Sequence, residues 1–423
     1  MRKYTSATNQ TKQNERGNMV SERTTTAIQN EQNYIVQTYR RSDFVLERGE
    51  GVYLYDTEGQ RYLDFVAGIG VNALGYGDAE IIRTIGEQAT NLLHVSNFYH
   101  TLPGGELARM LVERTPWAGQ VFFCNSGAEA VEGALKMARR YARQHHGEET
   151  TKTAIVAFDG AFHGRTMGAV AVTSRENYRR PFEPVMPGVR FVPFNDVAAL
   201  DAAITDDVCA VIVEPVQGEG GLRPAHNEFL HRVRERCNAS DALLILDEIQ
   251  CGMGRTGYLW AHEYAGVQPD MMTLAKPLGG GLPIGAIVAR QPVAATLAVG
   301  EHGTTFGGGP LVTAVAQVVL QRISNPAFLA RVRQVGDTFE QTLQRFAADH
   351  AERVREVRGR GLMRGLRIEG DTAALREACH QEGLLIATAG PDVLRFLPPL
   401  IITETHIAEA MEKLRAAWER SQS

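Results

Sequence analysis

Six short apolar runs, VFFC, TAIVAF, CAVIVE, ALLILD, MMTLAK and GAIVAR, recur between about residues 120 and 290, and the intervals between them carry helical patterns. Strands that alternate with helices need crossover connections, and those helices must lie on the faces of the sheet they connect. The expected fold class is α/β, with a mainly parallel, doubly wound sheet in a large domain over residues 86–317. Ahead of it, FVLERGEGVYLYD and GQRYLDFVAG alternate apolar and polar positions around turn glycines, as short antiparallel strands do. Behind it, helical patterns run through AVAQVVLQRI and FLARVRQVGDTFEQTLQRF. Strand-like GLMRGLRIE, LLIATAG and DVLRFLPP follow, and then a terminal helix over 404–420. Residues 29–85 and 318–423 are therefore expected to build a smaller α/β domain from the N- and C-terminal segments together. The Thr/Gln/Asn/Ser-rich residues 1–28 read as a flexible tail, and the charged ARVRQVG and ERVREVRGRG as solvated helix and turn faces.

Charge narrows the ligand class. With 44 Lys and Arg against 49 Asp and Glu the net charge is −5, and no long basic block interrupts the chain. Nucleic acid and anionic membrane surfaces are thus poor partners, and small molecules better ones. No window nears the roughly eighteen apolar residues of a transmembrane helix, and the first residues lack a signal-peptide core, so a cytoplasmic location is expected. Cys124, Cys209, Cys237, Cys251 and Cys379 are odd in number and never spaced CxxC, which suggests neither a disulfide framework nor a zinc site. His145-His146, beside Glu148 and Glu149, reads as solvated surface, and no metal is expected.

In an open α/β sheet, ligands sit at the carboxyl ends of the strands. Three such endings carry chemistry. VFFC runs into Asn125-Ser126-Gly127-Ala128, a small-residue turn opening a helix, whose free N–H groups and positive dipole end suit a phosphate. ALLIL ends in Asp247, followed by Glu248, Ile249 and Gln250. MMTLA ends in Lys276, and a lysine with a desolvated ammonium becomes a nucleophilic amine suited to Schiff-base formation. Together they ask for a ligand with an aldehyde, a protonated ring nitrogen and a phosphate. Pyridoxal 5′-phosphate has all three groups, and a buried carboxylate at its ring nitrogen preserves the ring as an electron sink.

In order along the chain, CNSGAEAVEGALK, AFHGRTMGA, VIVEPVQGEGG, LLILDEIQCGMGRTG, TLAKPLGGGLPIGA, HGTTFGG and VLRFLPPL resemble the class III aminotransferases. The likeness covers about Phe44 to Ile402 and is nearest to the acetylornithine aminotransferases and their ornithine, 4-aminobutyrate and lysine-biosynthetic relatives. It implies a fold-type I pyridoxal phosphate transferase in which Lys276 binds the cofactor and then moves a proton on the substrate. Asp247 would meet the ring nitrogen, Gln250 the phenolic oxygen, Phe162 the ring face, and Ser126, Gly127 and Ala128 the phosphate. His163 would lie beside the cofactor face, orienting its loop. Thr305 would reach the phosphate of a neighbouring subunit's cofactor, which implies a homodimer with shared active sites. Arg165 and Thr304 match substrate-contacting positions.

The resemblance also implies a switch between Glu219 and Arg395. An enzyme of this class accepts an ω-amine in one half-reaction and the α-amine of glutamate in the other, with 2-oxoglutarate as acceptor. Glu219 would occupy Arg395 until glutamate displaces it, and a buried guanidinium would never stand unpaired. Phe-His-Gly-Arg at 162–165, rather than a Phe-Ser-Gly-Arg form associated with the lysine pathway, favours N-acetylornithine as donor. Aminomutases share the fold and the lysine but would need no free oxo acid. Ala128, Val131 and Gly309 stand where the family more often has threonine, asparagine and asparagine.

Overall fold

The six apolar runs and a seventh strand, Val189–Val192, lie side by side in the computed structural model, which describes residues 20–421. Across the sheet the order is Gln120–Cys124, Gly285–Ala289, Met271–Leu274, Leu243–Asp247, Val208–Val213, Ala154–Phe158 and Val189–Val192. Pairing is parallel from Met271–Leu274 to the Val189–Val192 edge. Gly285–Ala289 runs antiparallel to both of its neighbours.

Alternation along each central strand feeds two separate cores. Ile155, Ile212 and Ile245 point to the face covered by the helix Gly127–His146, whose Ala130, Ala134 and Ala138 let it lie close to the sheet. Val156, Val211 and Leu244 point the other way, against Phe229, Leu230 and Val233 of the helix Asn227–Ser240. Both faces are therefore buried, as a doubly wound sheet requires.

Residues from the two ends of the chain meet in a second sheet. Leu46–Glu50, Tyr53–Asp56 and Arg61–Asp64 form an antiparallel meander. The short strand Leu384–Leu385 adds to it in parallel, with Leu384 opposite Leu63. A third sheet, ordered Val354–Arg360, Met363–Ile368, Val393–Phe396 and Ala387–Ala389, comes wholly from the C-terminal region. Phe339, on the helix Pro326–Asp349, packs edge-on against both Phe65 and Phe396, each ring pair 5.7 Å apart. That contact joins the N- and C-terminal contributions in one core.

Two expectations need correction. Part of the expected 1–28 tail is a helix, Glu22–Tyr34, while residues 1–19 lie outside the described residues. Ser21 caps the helix, and buried Thr24 donates its hydroxyl to Glu58 Oε1 at 2.5 Å, so tertiary contact rather than apolar periodicity holds it. Likewise ERVREVRGRG is no solvated turn: Val354–Arg360 pairs along its length with Met363–Ile368.

Candidate active site

Strand ends and the loops that follow them converge on a cavity of about 500 Å³. Its wall brings together Ser126, Gly127, Ala128, Phe162, His163, Arg165, Glu219, Asp247, Gln250 and Lys276. Thr304, Thr305 and Arg395 do not line it.

Lys276 follows the strand Met271–Leu274 by two residues and opens a short 3₁₀ turn with φ +40°, a left-handed conformation that non-glycine residues avoid unless their surroundings impose it. Its side chain is reached from the cavity but is otherwise enclosed. Burial lowers its pKa, Asp247 works against that shift, and Arg395 adds to it. The neutral amine of Lys276 is thereby more accessible than that of an ordinary lysine.

Asp247 is 3% exposed at the end of its strand. Its Oδ1 accepts from the Ile249 N–H at 3.0 Å, and its Oδ2 lies 2.7 Å from His163 Nδ1. Burial alone would discourage an imidazolium, but the hydrogen bond and charge of Asp247, helped by Glu214, outweigh it and raise the pKa of His163. His163 Nε2 is buried without a partner, as is Gln250 Oε1.

At the opposite wall, Ser126 caps the helix Gly127–His146, its hydroxyl oxygen accepting from Glu129 N at 3.2 Å. The Glu129 carboxylate turns back to Asn125, accepting from its N at 2.6 Å and its Nδ2 at 2.9 Å. Gly127 and Ala128, in the first turn, have no intrahelical acceptor for their N–H groups, and both face the cavity. A side chain at Gly127 would meet Ile249 at 2.8 Å, so the close approach needs glycine. A half-buried lysine, a buried carboxylate, unpartnered polar atoms and an open helix N-terminus around one cavity fit the donor and acceptor pattern of pyridoxal phosphate.

Farther out, Arg395 on the strand Val393–Phe396 is ion-paired with Glu219. Their side chains are 4% and 20% exposed, and Arg395 Nε has no partner. Arg175 donates to the Glu219 carbonyl. The Arg165 guanidinium stacks 3.5 Å over Tyr178 and stands 5.7 Å from the centre of the Phe162 ring. Thr304 is fixed just outside: its Oγ1 accepts from Gly307 N at 3.1 Å and from Asn125 Nδ2 at 3.2 Å. Thr305 is exposed next to Phe306, which is 66% exposed.

Glu214 also lines the cavity, and the reading of strand ends passed over it. It sits one residue beyond Val208–Val213, and Asp247 and Lys276 likewise lie at or within two residues of the ends of their strands; that shared placement was the available signal. Among the described residues no group of three or more His, Cys, Asp or Glu side chains is arranged to hold a metal ion.

Comparison with known proteins agrees with this geometry. Residues 34–418 match the family model described as aminotransferase class-III. The chain is 50% identical over 383 residues to a mitochondrial acetylornithine aminotransferase of Alnus glutinosa, covering 90% of this chain and 84% of that one. It is 46% identical to a succinylornithine transaminase of Yersinia pseudotuberculosis, covering 92% and 95%. Among solved structures, N-acetylornithine aminotransferase from Stenotrophomonas maltophilia superposes with a TM-score of 0.80 at 41% identity, covering 93% and 98%. Ornithine aminotransferase from Toxoplasma gondii gives 0.90 at 31% identity, covering 94% and 96%. With a fold-type I architecture and a lysine, a carboxylate and a helix N-terminus arranged for pyridoxal phosphate, the chain belongs to the class III aminotransferases.

Proposed function

We propose that this enzyme moves the ω-amino group of N-acetylornithine to 2-oxoglutarate by a ping-pong mechanism. The observation that carries the reading is the Glu219–Arg395 pair beside the half-buried Lys276, because only an enzyme handling both an ω-amine and an α-amino acid needs a carboxylate-binding arginine that can be masked. The names of the relatives support an N-acylated ornithine, and succinylornithine is the second candidate donor. Ornithine, 4-aminobutyrate and the lysine-pathway donors rank below these.

When bound, pyridoxal phosphate supplies the electron sink for removing a proton from the amino-bearing carbon. Lys276 would hold the cofactor and, once the incoming substrate amine has displaced it there, its freed amine would take that proton and return it during transfer. Asp247, aimed by His163, would hold the ring nitrogen in its protonated form. Phe162 would cover the ring face, Gln250 would hydrogen-bond at the phenolic oxygen, and the Ser126-Gly127-Ala128 turn would receive the phosphate. Arg165, on the cavity wall, would bind the far end of the substrate. Glu219 leaves Arg395 when glutamate brings its α-carboxylate and returns when an ω-amine occupies the site.

A homodimer is the proposed working unit. Phe98 and Leu102, each 91% exposed, and Phe306 form apolar surface of the kind that a partner covers, and exposed Thr305 lies beside it. No helix of the described residues is long and apolar enough to cross a membrane. The five buried free cysteines are in keeping with a cytoplasmic location. Steady-state assays test the donor: turnover should require an added oxo acid, favour N-acetylornithine over ornithine and 4-aminobutyrate, and give parallel double-reciprocal lines. Turnover without any oxo acid would point to an aminomutase instead.

A further inference from the structure

Glu214 is 6% exposed on the cavity wall, and none of the steps above uses it. Its Oε1 accepts from the Phe162 N–H and its Oε2 from the Gly218 N–H, each at 3.0 Å. One carboxylate thus ties the loop that carries the Phe162 ring to the turn that carries Glu219. A second stitch runs alongside, with Gln217 Nε2 donating to the Asp159 carbonyl at 2.9 Å. The turn has little slack. A Cβ on Gly218 would lie 2.1 Å from Gln250 Oε1, and Arg175 grips the carbonyl of Glu219. Gly218 thus stands against the Gln250 side chain and next to Glu219 in the chain.

We propose that Glu214 is a positioning residue that couples Phe162 in the cofactor site to the Glu219–Arg395 gate, keeping the two loops in one register. The inference rests on the gate reading given above. Two backbone donors converge on this side chain, and a carboxylate offers an acceptor to each. A carboxamide or a protonated acid would turn a donor toward one of the two N–H groups. Burial pushes the Glu214 carboxyl up to about 7, with His163 opposing the shift and Asp247 adding to it, while Lys276 and Cys251 face the same region. The stitch is accordingly complete above neutral pH and loses an acceptor below it.

The test compares Glu214→Gln, Glu219→Gln and the parent enzyme. Cofactor affinity is measured by titrating each apoenzyme with pyridoxal phosphate, and single-turnover rates of each holoenzyme with glutamate and with N-acetylornithine. Losing a hydrogen bond to a buried charged group should weaken cofactor binding by roughly ten- to a hundred-fold and change the ratio of the two half-reactions by about ten-fold. The ratio in the parent enzyme should also step near pH 7, and Glu214→Gln should flatten that step. Unchanged affinity and ratio, or an equal fall in both half-reactions, would overturn the coupling. A changed ratio in Glu219→Gln but not in Glu214→Gln would leave the gate standing and remove Glu214 from it, whereas no change in either would refute the gate itself. Should Glu214→Gln fail to fold, Glu214→Asp decides: its shorter carboxylate keeps the charge but cannot span both N–H groups, so a changed ratio supports the coupling and an unchanged ratio overturns it.

Discussion

Replacing Glu219 by glutamine isolates the charge of the gate from its shape. Arg395 is held at 4% side-chain exposure, and the carboxylate paired with it is 20% exposed, so the pair sits between a surface ion pair and a buried one. A charge-assisted hydrogen bond is worth about 1.5–3 kcal/mol, and the partial exposure of Glu219 brings the expected figure to about 1–2 kcal/mol. Glutamate must break this pair to place its own carboxylate on Arg395, whereas an ω-amine leaves it intact. Removing the charge should therefore raise kcat/KM for the glutamate half-reaction about five- to thirty-fold relative to that for N-acetylornithine, at 1.36 kcal/mol per decade. The substrate-free enzyme should also melt earlier, because a buried guanidinium loses its counter-charge. Stopped-flow absorbance with each amine alone gives both rates, and thermal unfolding gives the stability. An earlier melt with an unchanged rate ratio would show that the pair stabilises the fold without gating the substrate, and would refute the reasoning.

Lys276→Ala should abolish transamination while the far-ultraviolet spectrum stays native, and residual turnover above background would remove the lysine from its role. His163 has a folded-state pKa raised by Asp247, so its contribution to stability is fully present below the ordinary imidazole value of about 6.5 and is lost as pH rises through the raised one. Denaturant melts of His163→Gln against the parent should show that dependence vanish; a parallel offset at every pH would contradict it. Leu102→Glu places a charge in the exposed apolar patch. Sedimentation velocity should then show monomers, with activity lost because Thr305 no longer reaches a neighbour's site. An active monomer would refute the shared-site arrangement.

The parts of the site that could be read from sequence are those where one residue type breaks a buried apolar run. Lys276 and Asp247 each end such a run, and a charge there demands a reason. The Ser126-Gly127 turn was legible because small residues before a helix have a direct electrostatic meaning. Glu214 obeys the same rule, but the proline after it reads as an ordinary strand terminator, and its function lies in two backbone N–H groups from distant loops that no local pattern displays. The helix Glu22–Tyr34 was hidden for a related reason. Its turns are almost wholly polar, and what orders it is the bond from Thr24 to Glu58, far along the chain. The strand-like LLIATAG was legible, but the parallel pairing of Leu384 with Leu63 was not, since the edge it joins belongs to the N-terminal meander more than three hundred residues away.

The most direct test of the central claim is the visible absorption of the cofactor-saturated protein, followed as N-acetylornithine, ornithine, 4-aminobutyrate and glutamate are added separately with no oxo acid present. Rapid loss of the lysine-bound cofactor's band with N-acetylornithine and with glutamate, and slow loss with the other two, is the expected result. Bleaching by glutamate but not by N-acetylornithine would reassign the donor, and the absence of any such band in the saturated protein would contradict the assignment of Lys276 and the chemistry built on it.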